Sequence, residues 1–402
     1  MPFLAGRRCG TVGTMTAENV LGKDDRPRFF AVGNTAELGL PGAEPRYGVA
    51  LRTYVRSLAG MQKEALVVSS ATDLAWRLVS DEGPYLAGHD EAPFPLAFMA
   101  AGMVASYYTE AAALAAKRGV GRGGLHLTLD NYYTMEGSAL RGTMVGGALP
   151  PELRVQAVSS AGLHGLFVDA VAASPVAGLL RGQKTSQFTL TCNGQQLPLG
   201  RVAPLGETAL PDAADRFDAV TVGGPPAADQ LMARSARAER HEGAGGVGSS
   251  LQAEQRRTLH VRAVCREGPD GVKEIEVLLF KPSGSSFRLR SEEATGRQIG
   301  RAPDAATLIS AGLGFCFMTQ FGRYASITKK QLDRYRIIQD TQFSMSGAAQ
   351  PGQADPVETH VYLDTPEGVE FARTIVDTSE QTCFLHALCR TDLRTRLRVG
   401  SS

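Results

Sequence analysis

From Tyr47 onward, apolar and polar positions alternate in short runs: Tyr47-Gly-Val-Ala-Leu-Arg-Thr-Tyr-Val, Glu64-Ala-Leu-Val-Val-Ser and Trp76-Arg-Leu-Val. A period of two predicts β-strands. The pattern then changes. Residues from about Pro95 to Arg118 are apolar almost throughout and stop at Gly119, which predicts one long helix with no wet face. Strands return at Leu125-His-Leu-Thr-Leu-Asp and Leu153-Arg-Val-Gln-Ala. A second helix is expected from about Ser160 to Leu180, and Ser186 to Gly194 reads as a last strand. Gly119-Val-Gly-Arg-Gly-Gly124 fits a dinucleotide fingerprint only in spelling. A helix precedes it and a strand follows, the reverse of what a phosphate site needs.

The same order comes round again. Thr258-Leu-His-Val-Arg-Ala-Val and Lys273-Glu-Ile-Glu-Val-Leu-Leu-Phe read as strands, and Phe287-Arg-Leu-Arg-Ser-Glu-Glu293 matches Trp76-Arg-Leu-Val-Ser-Asp-Glu82. An apolar helix from Ala305 follows, then strands at Tyr335-Arg-Ile-Ile and Glu358-Thr-His-Val-Tyr-Leu. Thr365-Pro-Glu367 carries the capping hydroxyl, proline and acid of a helix start. Residues 1–44, without a period, read as an N-terminal extension. Residues 45–200 form one module, 201–254 a flexible Gly- and charge-rich linker, and 255–400 a second module. The fold class is α+β, each module a β-sheet packed with a long buried helix and a second helix. Aligning the copies puts Cys316 on Ser106 and Cys383 on Ser174, 67 and 68 residues apart in their respective modules. Two thiols in the second copy thus stand where the first has hydroxyls. A thiol ionises near neutrality and attacks soft electrophiles, so chemistry is expected in the second copy and silence in the first.

Composition narrows the partners. The 42 basic and 41 acidic residues nearly cancel, which argues against nucleic acid or a membrane surface as partner. No uninterrupted apolar run reaches the roughly 18 residues of a membrane span. The amino terminus lacks a signal peptide's apolar stretch, so the cytoplasm is the expected location. Six scattered cysteines do not make a secreted disulfide framework. Cys9, Cys192 and Cys265 have no partner in the pattern. Cys383-x-x-His386-x-x-Cys389 has the look of a metal motif, but on one helix its ends rise roughly 9 Å apart. A metal held by Cys316, Cys383 and His386 is the alternative this leaves open. Glu380, one turn before Cys383, is a candidate to orient a ligand.

The order of elements, Ala311-Gly-Leu-Gly-Phe-Cys316-Phe and a second cysteine 67 residues on resemble the osmotically inducible protein C and organic hydroperoxide resistance (OsmC-like) family. The resemblance covers most of 258–400 and, more weakly, 47–192. It implies a tandem fusion forming an intramolecular pseudo-dimer, open to further homo-oligomerisation, with sites at the interface between modules. It implies an antioxidant peroxidase in which the Cys316 thiolate attacks an organic hydroperoxide and Cys383 resolves the sulfenic acid as a disulfide. No bound cofactor is implied, only a dithiol or lipoyl-type reductant. The chain departs from the family at three places. Ten residues before Cys316, where the family has glutamate, stands Ala306, and the nearest acid is Asp304; Phe384 rather than proline follows Cys383; and no arginine is fixed as the thiolate partner. Arg288, Arg290, Arg297 and Arg301 are candidates by position, with Arg52 and Arg56 reaching from the first module. Phe315, Phe317, Met318 and Leu313 are expected to line an apolar pocket around Cys316. Two rival readings are a cysteine-dependent lyase, hydrolase or desulfurising enzyme for a small organosulfur or electrophilic substrate, possible with metal assistance, and a non-catalytic redox sensor or small-molecule binder.

Overall fold

The computed structural model describes residues 17–72, 74–139, 141–158, 162–223, 231–237, 255–294, 300–345 and 350–401. The alternating runs become strands and the apolar runs become helices, in the same order in both halves. The first half runs β1 (Val49–Ser57), β2 (Lys63–Ser69), β3 (Ala75–Ser80), α1 (Pro95–Arg118), β4 (His126–Gly137), β5 (Glu152–Ala157), α2 (Leu163–Ala173), α3 (Pro175–Leu180) and β6 (Gln187–Cys192). The second half repeats it as β7 (Gln255–Glu267), β8 (Lys273–Lys281), β9 (Ser286–Ser291), α4 (Ala305–Thr328), β10 (Arg334–Phe343), β11 (Glu358–Asp364), α5 (Val369–Thr382), α6 (Phe384–Arg390) and β12 (Arg396–Ser401).

The sheets do not belong to one half each, as the sequence suggests. One sheet runs β6-β11-β10-β1-β2-β3 and the other β12-β5-β4-β7-β8-β9, so every half gives strands to both. The seams are antiparallel pairs between halves, with Arg52 opposite Asp340 on β1 and β10 and Arg262 opposite Asp130 on β7 and β4. Each arginine grips its aspartate with two bonds, at 2.8 and 2.6 Å for Arg52 and at 2.8 and 3.0 Å for Arg262. A planar guanidinium matched to a carboxylate fixes register as well as adding attraction. The outermost strands β6 and β12 complete the exchange by pairing in parallel with β11 and β5.

Helices α1 and α4, 24 residues each, fill the space between the sheets. α4 packs on β1, β2 and β10, α1 packs on β4, β7 and β8, and the two helices pack on each other. Pro95 opens α1 and Gly119 closes it in the left-handed region at φ 66°; Asp304 caps α4 by accepting from the Thr307 N–H at 2.7 Å. By length and composition α4 is apolar enough to cross a membrane, its few hydroxyls and Gln320 interrupting the run without lowering its mean hydropathy much, yet here it is the buried core helix. The helices touch at Gly102 and Gly312. A Cβ on Gly102 would lie 2.8 Å from the Ala305 carbonyl oxygen, and one on Gly312 would lie 2.9 Å from the Met99 nitrogen. Both contacts are with backbone, which cannot swing aside.

Segments outside the two modules also fold. Phe30–Val32 and Val222–Gly223 add to the β3 edge, Ala203–Pro204 to β6, and Met232–Ala236 to β9. Phe30, Val32, Leu40, Ala213, Phe217 and Val220 bury the outer face of the first sheet over Tyr54, Leu66, Ile338 and Tyr362. The extension and the linker are therefore structural in these stretches, because an apolar outer sheet face must be covered; 1–16, 224–230 and 238–254 lie outside the described residues. The expected second helices are each broken. Pro175 ends α2 at Ser174, while the helix carrying Cys383 starts at Val369 rather than Thr365 and breaks at Cys383 itself, in extended backbone at φ −71°, ψ 120°. Thr365 Oγ1 accepts from the Glu367 N–H at 3.1 Å and donates to the Gln331 carbonyl, in a turn that precedes the helix.

The helix crossing is testable. Gly102→Val and Gly312→Val should each lower the unfolding free energy by about 1–3 kcal/mol or more, as overpacking against backbone does. Urea midpoints should fall at unchanged slope, whereas Gly121→Ala, with nothing within 4 Å, should leave them in place.

Candidate active site

Cys316 lies halfway along α4, and Cys383 sits at the joint of α5 and α6. No proline makes that joint. Arg390 does, because its guanidinium donates to the Glu380 and Gln381 carbonyls and to the Gly146 carbonyl, satisfying groups that the end of α5 leaves open. The break turns Cys383 toward α4, where its thiol and the Leu385 N–H both act on Cys316. Both are free thiols and fully buried. Burial holds the Cys316 thiol well above its ordinary pKa; the Cys383 thiol and the Glu82 charge act the same way, and the Leu385 N–H opposes them. The resting thiol is protonated.

The first half builds the same contact from hydroxyls. Ser106 Oγ and Ser174 Oγ are 2.8 Å apart and buried, and Ser174 accepts from the Val176 N–H at 3.2 Å. No histidine stands among their described hydrogen-bond partners, so neither hydroxyl has a base.

Around Cys316 the strand exchange brings a charged shell from the other half. Lys63, on β2, is buried, and burial depresses its pKa against the pull of Glu82, Asp81 and Cys316. Glu82, just past β3, accepts from Tyr85 Oη at 2.6 Å and from Thr319 Oγ1 at 3.1 Å; burial raises its pKa, and Lys63 opposes that most. Arg323, two turns beyond Cys316 on α4, feels the charges of Glu82, Arg257 and Cys316. Tyr133 from β4 completes the shell, its phenol pushed up by burial and by Cys316. None of these four was singled out from sequence as a site residue. Two signals were present: Glu82 aligns with Glu293 in the repeat, and Arg323 lies two helical turns from Cys316.

Most sequence candidates lie elsewhere. Arg288 is exposed on β9, Arg290 pairs with Asp270, and Arg301 pairs with Glu292. Arg52 is spent on Asp340, and Arg56 on Glu64 and Asp218. Arg297 lies outside the described residues. Asp304 is twelve residues from Cys316, roughly 18 Å along a helix; it caps α4 beside Glu293, near the serine pair, and burial with that neighbour raises its pKa. Glu380 is held by Arg390 at 2.7 Å and orients that joint rather than a ligand. His386 is buried between Phe317 and Phe188, with ring centroids 4.7 and 5.8 Å away and neither nitrogen hydrogen-bonded. Burial, and then Arg390, hold it neutral with its pKa down at about 3. Among the described residues no three His, Cys, Asp or Glu side chains are grouped to hold a metal, so the Cys316, Cys383 and His386 set is not assembled as one.

Leu313, Phe315, Phe317 and Met318 are fully buried core residues. A narrow groove near the thiols, with room of about 20 Å³, is lined by Met144, Gln320, Arg323, Tyr324, Ile327 and Thr382 among others. Thr382 precedes Cys383, and Gln320 is one turn past Cys316. Gln320 Oε1 accepts from Thr382 at 3.3 Å and from Arg323 at 3.2 Å along this groove.

No protein-family model matches the chain, and no curated protein matches it. Among solved structures, an OsmC-like hydroperoxide resistance protein from Jannaschia sp. CCS1 is a weak neighbour. It is 22% identical over 30% of this chain and 79% of its own, with a TM-score of 0.19. A likeness of that size carries no argument about chemistry.

The neutral His386 has a measurable consequence. Its pKa is lower folded than unfolded, so the unfolded chain binds the extra proton and stability falls as pH drops from about 6.5 toward 3. The slope approaches about 1.4 kcal/mol per pH unit for one group. Urea unfolding of His386→Phe at pH 7 and pH 5 should show a smaller loss on acidification than the wild type.

Proposed function

We propose that the chain is a thiol-dependent peroxidase of OsmC-like type that reduces organic hydroperoxides at Cys316, with Cys383 as resolving thiol and a dithiol or lipoyl-type reductant. The observation that carries this reading is that two free buried thiols, Cys316 on α4 and Cys383 at a helix break, lie near enough to act on each other. Thiols so placed can pass between dithiol and disulfide with little movement of the chain. In the forward step the Cys316 thiolate attacks the peroxide; the S–O bond forms as the O–O bond breaks, an alcohol leaves and the sulfur becomes a sulfenic acid. Cys383 then attacks that sulfur, the S–S bond forms and water leaves. The external dithiol restores both thiols by exchange.

Organic hydroperoxides are proposed over hydrogen peroxide because Met144, Tyr324 and Ile327 present apolar side chains at the groove, which has to open before a hydrocarbon tail can enter. A metal-assisted hydrolase or lyase would want ligands grouped beside Cys316; among the described residues none are grouped so, and His386 is packed in the aromatic core.

Reduced protein with dithiothreitol or a lipoylated reductant should consume cumene hydroperoxide faster than hydrogen peroxide. Cys316→Ser should fall to the uncatalysed rate, Cys383→Ser should stall after oxidation of Cys316, and Ser106→Ala should turn over like the wild type. Consumption of neither peroxide by the wild type would overturn the proposal.

A further inference from the structure

The inner face of the first sheet carries polar groups that the thiol site does not use. Thr53 on β1, Gln339 on β10 and Thr359 on β11 stand directly opposite one another on three adjacent strands. All three are 0% exposed. They point toward the helices, because the neighbouring Tyr54 and Ile338 lie on the outer face. Gln339 Nε2 donates to the Ser310 carbonyl of α4 at 3.1 Å, which fixes the two ends of the amide and leaves Oε1 to bond elsewhere. Thr53 turns its methyl to α4, 3.8 Å from where a Cβ on Gly314 would lie. Among the described residues, Gln339 Oε1, Thr53 Oγ1 and Thr359 Oγ1 have no hydrogen-bond partner. Facing residues on paired strands have Cβ atoms about 4.5–5.5 Å apart, so the three oxygens share one small region.

The fold does not require this polarity. Arg262 and Asp130 stand opposite each other in the second sheet as Arg52 and Asp340 do in the first, and one step along each strand gives the matching inner row of Ala263, Leu129 and Leu153. Every member of that row is apolar and just as buried. On the helices above, Ser310 and Gly314 of α4 correspond to Ala100 and Val104 of α1. One side of the core is apolar at these places, whereas the other buries three oxygens side by side.

A buried oxygen that gives up solvent and gains no partner keeps its full desolvation penalty, and three in a row multiply it. We propose that Thr53, Gln339 and Thr359 form a binding site for one internal water molecule. Water matches the set. It can donate one hydrogen to Gln339 Oε1, which only accepts, and can either donate to or accept from each hydroxyl. About three protein partners is the usual number for a buried water. A cation does not match, because none of the three strands turns a carboxylate inward; Asp340, next to Gln339, points to the outer face and is held there by Arg52. Thr53 belongs to the first half of the chain and the other two residues to the second. The water therefore ties the seam from inside, beneath the ion pair that ties it from outside. This site is independent of the peroxidase reading.

The test uses water itself as the probe, in the full-length protein. A high-resolution crystal structure should show one ordered water within about 2.7–3.2 Å of Gln339 Oε1 and of the threonine hydroxyls. Oxygen-17 relaxation dispersion of the solvent, which counts long-lived internal waters, should lose one water in Gln339→Leu and none in Leu129→Met. Thr53→Val and Thr359→Val keep the side-chain shape and remove only the hydroxyl. With water bound, each strips it of a partner and the urea midpoint falls; with a dry row, each removes an unpaired hydroxyl and the midpoint rises. The valine variants keep the question open to measurement even where Gln339→Leu does not fold. A row without ordered water, a count unchanged by Gln339→Leu, or a raised midpoint in both valine variants would each sink the water site.

Discussion

The architecture depends on the close crossing of α1 and α4. Each helix is apolar on all sides and has no solvent-facing stripe, so each must be enclosed. Gly102 and Gly312 let the backbones approach until a Cβ would meet the other helix's main chain. Two helices in that contact fill a slab only one helix deep against either sheet. The remaining face of each helix must then be covered by strands, and both sheets lie outside the pair.

The enclosure explains why neither half folds around its own helix alone. With β1–β3 lying on α4 and β7–β9 on α1, each helix is roofed mainly by the other half's first strands. The two-bonded pairs Arg52–Asp340 and Arg262–Asp130 sit on the seams this creates. A register slip of one residue would turn every apolar side chain outward and separate both pairs. The same exchange carries Lys63 and Glu82 to the neighbourhood of Cys316 and sets Lys273 and Glu293 beside Thr109 near Ser106. Each site is composite because the roof of each helix is.

The two sites differ in chemistry far more than in shape. Both place a side chain from the long helix against one at a broken second helix, and both surround it with a lysine, a glutamate and a threonine. The hydroxyl pair is held by its hydrogen bonds; the thiol pair has Arg323 two turns along its helix, where the first half has Ala113 at the matching position. The break at Cys383 is held by Arg390 rather than proline, which places a guanidinium, itself tied to Glu380, within reach of the joint.

By itself the sequence determined the elements and the pairing of positions. Strand and helix periods are written locally, so β1 through β11 and the two long helices were legible within a few residues, whereas the closing strand β12 was not read, and the coincidence of Cys316 with Ser106 and Cys383 with Ser174 followed from counting. Local pattern does not say which strand lies beside which, since every strand offers the same backbone donors and acceptors. Only the tertiary structure decided that sheets are shared, and with that decision came the groups that matter to Cys316: Lys63 and Glu82 are more than 200 residues away in the chain, while the nearer Asp304, Arg288 and Arg290 point to other tasks. The burial that protonates Cys316, leaves His386 neutral and folds residues of the extension and linker onto a sheet is likewise a property of packing. Charge state depends on what surrounds a group in space, and the chain order alone does not specify that.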